Sequence, residues 1–110
     1  MRLRVDVSAD LSPMEAKLRL DSSDMHRVAL AGLRGMTKYV PMDTGELMGS
    51  GHVEGEEAVW STDYAVYAYF PRGHIHTTKN PTAHREWVRY YESQGAPEVV
   101  REVVRIVNAK

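Results

Sequence analysis

The chain contains no cysteine. Disulfides, thiolate nucleophiles, zinc knuckles and cysteine-ligated iron–sulfur clusters are thereby excluded. It also lacks a dominant charge, since 14 Lys and Arg stand against 15 Asp and Glu, for a formal net charge of -1. So balanced a chain has no overall pull toward nucleic acid or an acidic membrane, although a local patch can still form. No apolar run approaches the roughly 20 residues of a membrane helix. The opening stretch Met1-Arg2-Leu3-Arg4-Val5-Asp6 breaks its apolar residues with charge at every second step, which is wrong for a signal peptide. The triplet Asn80-Pro81-Thr82 is no glycosylation acceptor, because proline fills its middle position. The expectation is a protein kept in the cytosol, or in whatever is assembled there.

What is present fits one globular domain spanning 1–110. The 110 residues are 43% hydrophobic and 26% charged, too apolar for a disordered chain. A chain of this mass buries roughly two-thirds of its surface, enough for one core. Leu3, Val5 and Val7 alternate with charged residues, the period of a half-buried strand. Ser12-Pro13-Met14-Glu15 reads as a helix start, and apolar residues follow at helical spacing from Met14 to Val40. The polar interruption at Asp21-Ser22-Ser23-Asp24 divides this stretch, with Ser22 or Ser23 as the second cap. Pro41 ends it. Within that helix, Gly32 and Gly35 permit close helix packing.

Beyond Ser50 the signal changes. Val53, Ala58, Val59 and Trp60 predict a short strand, with Gly55-Glu56 as a bulge or turn. Tyr64, Val66, Tyr67, Tyr69 and Phe70 predict another, rich in aromatic and β-branched residues. Pro71 breaks it, and the polar stretch to Asn80 reads as an exposed loop. Asn80-Pro81 predicts a helix start, with Trp87, Tyr90 and Tyr91 as the buried stripe and Gly95 as the stop. Pro97 opens a last helix, with Val100, Val103, Val104 and Val107 as its apolar face. The expected class is α+β: an antiparallel sheet packed against an N-terminal helical segment and C-terminal helices. Trp60, Tyr64, Tyr67 and Trp87 are the expected core aromatics.

Two constellations invite chemistry. Asp43-Thr44-Gly45 matches the active-site triplet of aspartic proteases, in which two close carboxylates share a proton. In those enzymes the triplet follows a buried strand, whereas here it follows the end of a helical pattern. The structural reading makes Asp43 a backbone cap, Glu46 its capping-box partner, Gly45 a tight bend and Leu47 a return to the core. His74, His76 and His84 could gather a metal, since two histidines spaced by one residue share a strand face. No carboxylate stands at a helpful interval. A small hydrolase, through Asp43 or through those histidines, is the alternative function. Neither a serine triad nor a phosphate-cradling glycine loop can be assembled.

Tyr39-Val40-Pro41-x-Asp43-Thr44-Gly45-x-Leu47, followed by Ser50, resembles the hallmark of small minor capsid, or head–tail joining, proteins of tailed bacteriophages. Tyr64-Ala65-x-Tyr67-x-Tyr69, Asn80-Pro81-x-Ala83 and Trp87 follow in the order of that pattern. The resemblance runs from about Val28 to Trp87. Met48 stands where such proteins often carry a basic residue. The resemblance implies a structural role with no cofactor and no catalytic set. Proteins of this kind form rings in the neck of the virion, six-fold in the tail-completion position, with twelve-fold as the other arrangement. They lie between portal, adaptor or stopper proteins on the head side and tail terminator or tube proteins on the tail side. Phage DNA passes through such rings without sequence-specific contact, and no membrane is involved. The implied localisation is the virion, with the host cytoplasm before assembly. On this reading the corner built by Pro41, Asp43, Thr44, Gly45, Leu47 and Ser50 touches neighbours. So does the loop of Pro71, Arg72, Gly73, His74, His76, Thr77, Thr78 and Lys79.

Overall fold

The computed structural model describes residues 3–6, 18–41, 45–62, 64–71 and 80–110. Its elements are β1 (Leu3–Asp6), α1 (Ser22–Thr37), α2 (Glu46–Gly49), β2 (Gly51–Glu54), β3 (Glu57–Trp60), α3 (Ala65–Tyr69), α4 (Trp87–Ser93) and α5 (Pro97–Ala109). Three antiparallel strands run in the order β1-β3-β2. The class is α+β, with α1 packed on β2, β3, α4 and α5.

Gly55 makes the hairpin. Its φ of 64° suits the first position of a two-residue turn, and Glu54 pairs with Glu57 across it. The run expected as one strand is therefore two. β3 takes the centre, pairing Leu3 with Trp60 on one side and Gly51 with Trp60 on the other. Val7 and the helix start expected at Ser12-Pro13-Met14-Glu15 lie outside the described residues.

Helix α1 begins where the polar interruption placed it, but its cap is neither serine. Asp21 Oδ1 accepts the Asp24 backbone N–H at 2.8 Å, and Asp24 Oδ2 accepts that of Asp21 at 3.1 Å. The reciprocal carboxylate pair makes a capping box one residue earlier than expected. Met25, Val28, Ala29, Ala31, Gly32, Gly35 and Met36 line the buried side of the helix.

Three expectations need correction. Tyr64 to Phe70 is not a strand; α3 is a single helical turn, with Ala65 and Tyr69 inside at i and i+4. Tyr67 is 69% exposed and Tyr64 also faces solvent, so neither belongs to the core. The β-propensity of the segment yields to the packing of Tyr69 against Trp87, ring centroids 4.7 Å apart. Second, Asn80-Pro81 starts no helix, because the Asn80 side chain is engaged elsewhere; α4 begins only at Trp87. Tyr90 is half-buried, and Val88 joins Trp87 and Tyr91 on the buried side. Third, α5 buries Val99, Val103 and Ile106 together with Glu102, leaving Val100 and Val104 54% and 52% exposed. Residues 99, 103 and 106 repeat the same helical spacing one step earlier. Glu102 decides between the two stripes by meeting Arg27 of α1 at 2.9 Å.

The core lies between sheet and helices. Trp60 and Trp87 are fully buried and meet edge to face, centroids 5.4 Å apart.

Candidate functional site

Helix α1 leaves its last carbonyls unpaired within the helix, as every helix does. Met36 O and Thr37 O accept the Tyr39 and Val40 N–H groups locally, and a segment some forty residues away serves the carbonyls that follow the helix. Asn80 Nδ2 donates to the carbonyls of Lys38 at 3.0 Å and Val40 at 2.8 Å. Thr82 Oγ1 donates to Lys38 O at 2.6 Å, and the His84 backbone N–H to Tyr39 O at 2.8 Å. Asn80 Oδ1 accepts the Thr82 backbone N–H at 3.3 Å, which folds residues 80–82 into the shape that reaches α1. The Tyr39-Val40-Pro41 and Asn80-Pro81-x-Ala83 stretches thus form one joint.

An aromatic layer continues from the joint. Tyr39 meets Tyr90 edge to face at 4.9 Å, and His84 stacks on Tyr90 at 3.8 Å and 12°. The Glu86 N–H bonds Tyr69 O at 3.0 Å, joining this layer to α3. Beyond it, His84, Arg85, Glu86, Arg89, Tyr90 and Ser93 line an open groove of about 300 Å³. Glu86 adopts φ 46° and ψ 53° at the start of α4, a conformation that non-glycine residues seldom take.

At the corner, Gly45 stands at φ 88° in the N-cap position of α2, as its expected role in a tight bend requires. Glu46 is then the first helical residue rather than the third, so the register of an Asp43–Glu46 capping box is not that of α2. Asp43 and Thr44 themselves lie outside the described residues. Leu47 is buried, and Ser50 Oγ donates to its carbonyl at 2.8 Å while accepting the Ser61 N–H at 3.2 Å. A Cβ on Gly51 would stand 2.8 Å from Trp60 Nε1. Pro41 and Pro71 are half-buried. Arg72, Gly73, His74, His76, Thr77, Thr78 and Lys79 lie outside the described residues. Of the three histidines considered for a metal, only His84 is described; its Nδ1 lies 2.8 Å from Arg85 O and its ring against Tyr90. Among the described residues no group of three His, Asp or Glu side chains is placed to hold a metal ion.

A second joint escaped the sequence reading. Helix α5 has Ala96 at its N-cap, φ 45°, with no side chain to serve its first amides. Tyr91 does so from α4: its hydroxyl accepts the N–H groups of Glu98 at 3.1 Å and Val99 at 3.2 Å, and donates to Glu98 Oε2 at 2.9 Å. Burial, helped by the adjoining Glu98 carboxylate, pushes the Tyr91 hydroxyl up to about 12. Burial also works against the Glu98 charge, but the Tyr91 hydroxyl, its own N–H and Lys38 together hold its carboxyl below the usual value. The ring fits because residue 35 has no side chain; a Cβ there would come 2.5 Å from Tyr91 Cε1. An alanine before Pro97 was the available signal, since a helix start without a capping residue asks for one from outside.

Comparison with protein-family models, with curated proteins and with solved structures finds no match to this chain.

Proposed function

We propose that the chain is a structural subunit of the neck of a tailed bacteriophage. It forms a homo-oligomeric ring at the head–tail junction, joining portal-side to tail-side components around the DNA conduit, and it is not an enzyme. The observation that carries this reading is the joint between Tyr39-Val40-Pro41 and Asn80-Pro81-x-Ala83. One hydrogen bond, from Asn80 Nδ2 to Val40 O, joins the two stretches directly, and bonds from Asn80 and Thr82 to Lys38 O and from the His84 N–H to Tyr39 O reinforce it; Tyr39, Val40 and Asn80 are residues of the sequence resemblance. A motif used as a fastener suits an architectural part. It also ties the described end of the 72–79 segment, at Asn80, to Val40, beside the corner. Nearby, α3 turns Tyr64, Tyr67 and Phe70 outward, side chains favoured where one protein surface meets another.

The test is made in a tailed phage that carries this gene. The expected result is the chain in purified virions, located at the neck by antibody labelling. Deletion of Gly73 to Lys79 is expected to leave the isolated chain's melting curve unchanged and to yield unjoined heads and tails. Virions without the chain, or normal particles from the deletion, overturn the proposal.

A further inference from the structure

Six large apolar side chains stand exposed among the described residues, and five of them fall into two patches. The first patch is on α3. Tyr64, Tyr67 and Phe70 recur at intervals of three, so they share the side opposite the inward pair Ala65 and Tyr69. Phe70 rests edge to face on Tyr69, centroids 4.8 Å apart, and Tyr69 in turn meets the buried Trp87. The patch is therefore backed by the core. No charged residue lies between Tyr64 and Phe70. At about 200 Å² for a whole aromatic side chain, the three offer about 350 Å² to solvent, the size at which an apolar patch on a monomer often marks a contact.

The second patch is on α5. Val100 and Val104 lie one turn apart on the flank outside the buried stripe of Val99, Val103 and Ile106. Arg101 and Arg105 run alongside them, with side chains 68% and 67% exposed. Arg101 lies 3.6 Å from Glu98, and Arg105 lies 2.9 Å from Glu102. A carboxylate takes the edge of a guanidinium, where its N–H groups point, and leaves the flat faces open. The valine stripe is thus bordered by two planar cations whose faces remain available.

We propose that the α3 aromatic patch of one copy docks on the Val100–Val104 stripe of a second copy, with Arg101 and Arg105 over its rings. The inference rests on the ring-subunit reading and deepens it by naming the surfaces through which subunits meet. Complementarity selects this pairing. A contact of α5 with α5 would cover the valines but set Arg101 and Arg105 against their own kind. A contact of α3 with α3 would leave the valines in water. Seating α3 on α5 covers both patches and gives the two cations aromatic faces to meet. Two different patches make the contact heterologous, the type that closes into rings or continues into filaments. A foreign protein on one patch leaves the other uncovered, whereas in a closed ring every copy covers both.

The absence of cysteine makes the contact readable by disulfide trapping on the full chain. Tyr67→Cys and Val104→Cys each supply a sole thiol. Mixed under a mild oxidant, the two variants should link to each other, and each alone should link far less. The double variant Y67C/V104C should give a ladder of linked chains. In sedimentation velocity at millimolar concentration the wild type should associate in high salt as in low, because apolar burial is not screened as exposed charges are. Tyr67→Ser and Val104→Ser should each weaken association about tenfold, with circular dichroism checking that the fold is intact. R101K/R105K, which keeps both charges but not the planar faces, should weaken it about threefold. The proposal is overturned if the wild type stays monomeric, or if the mixture links no better than either variant alone. Strong linking of one variant with itself reassigns the contact to like patches and also overturns it. If virions carry the chain at the neck and Tyr67→Ser assembles them normally, the surface assignment fails and the ring reading stands. Virions without the chain sink the ring reading whatever the trapping shows. Unjoined heads and tails from Tyr67→Ser, with self-association unchanged, would hand α3 to a partner of another sequence and overturn the pairing.

Discussion

The start of α5 and the turn that follows α1 both take their hydrogen-bond partners from outside the helix, but on different principles. At α5 a single hydroxyl serves two backbone amides and a carboxylate, inside a space that exists only because residue 35 is glycine. At α1 three residues of one segment share the work, and no single atom serves the whole. A joint built on one atom is stiff and vulnerable. A distributed joint loses its members one at a time.

The sharpest way to break this contrast is Gly35→Ala. Its Cβ would lie 2.4 Å from Glu98 Oε2 and 2.5 Å from the buried Tyr91 ring, forcing α1 away from α4 and α5. A loss of about 3 kcal/mol in denaturant melts is expected, the upper range for overpacking a core. Tyr91→Phe comes next. It strands the amides of Glu98 and Val99 and should cost about 2 kcal/mol, read in the same melts. Asn80→Ala should cost only about 1 kcal/mol, because Thr82 and the His84 amide still hold the turn that follows α1. The Asn80→Ala/Thr82→Ala pair should exceed the sum of its members, since both side chains serve the Lys38 carbonyl. Strict additivity there would show that the α1 joint is not shared.

The smallest effect is in pH. Tyr91 titrates higher folded, at about 12, than its ordinary 10.0. Its contribution is therefore complete below pH 10 and is lost as pH climbs through 12. Glu98 is shifted the other way, below its ordinary 4.5, so its contribution is present above that value and fades as pH falls through the lowered one. Melting temperature against pH should droop at both ends. In Tyr91→Phe the alkaline part of the droop attributable to this residue should vanish.

The sequence was most legible where local chemistry decides structure. Gly45 at its bend, Gly35 at its helix contact, Pro97 at a helix start and Gly55 in a turn each follow from what the residue can or cannot do. It was least legible where tertiary contacts override a local preference. Tyr64 to Phe70 carries strand-forming residues, yet Trp87 draws Tyr69 into a helical turn. In α5, two valine-bearing stripes satisfy one period, and only Arg27 on another helix selects between them. Asn80 has the look of a cap, but its side chain binds the carbonyls of Lys38 and Val40, just past the far end of a different helix. In the proposed contact region, the corner's scaffold of Gly45, Leu47 and Ser50 could be read in advance. The clamp between residues 38–40 and Asn80 could not, because nothing local pairs residue 40 with residue 80.

The strand order has a kinetic side. The β2–β3 hairpin closes over two residues, whereas β1 must find β3 across a separation such as the 53 positions between Arg4 and Glu57. Ring closure of that length is slow compared with hairpin formation. The edge strand therefore zips on late, after its template exists. Shaving Val5 to alanine should quicken unfolding while leaving the refolding rate nearly untouched in stopped-flow traces.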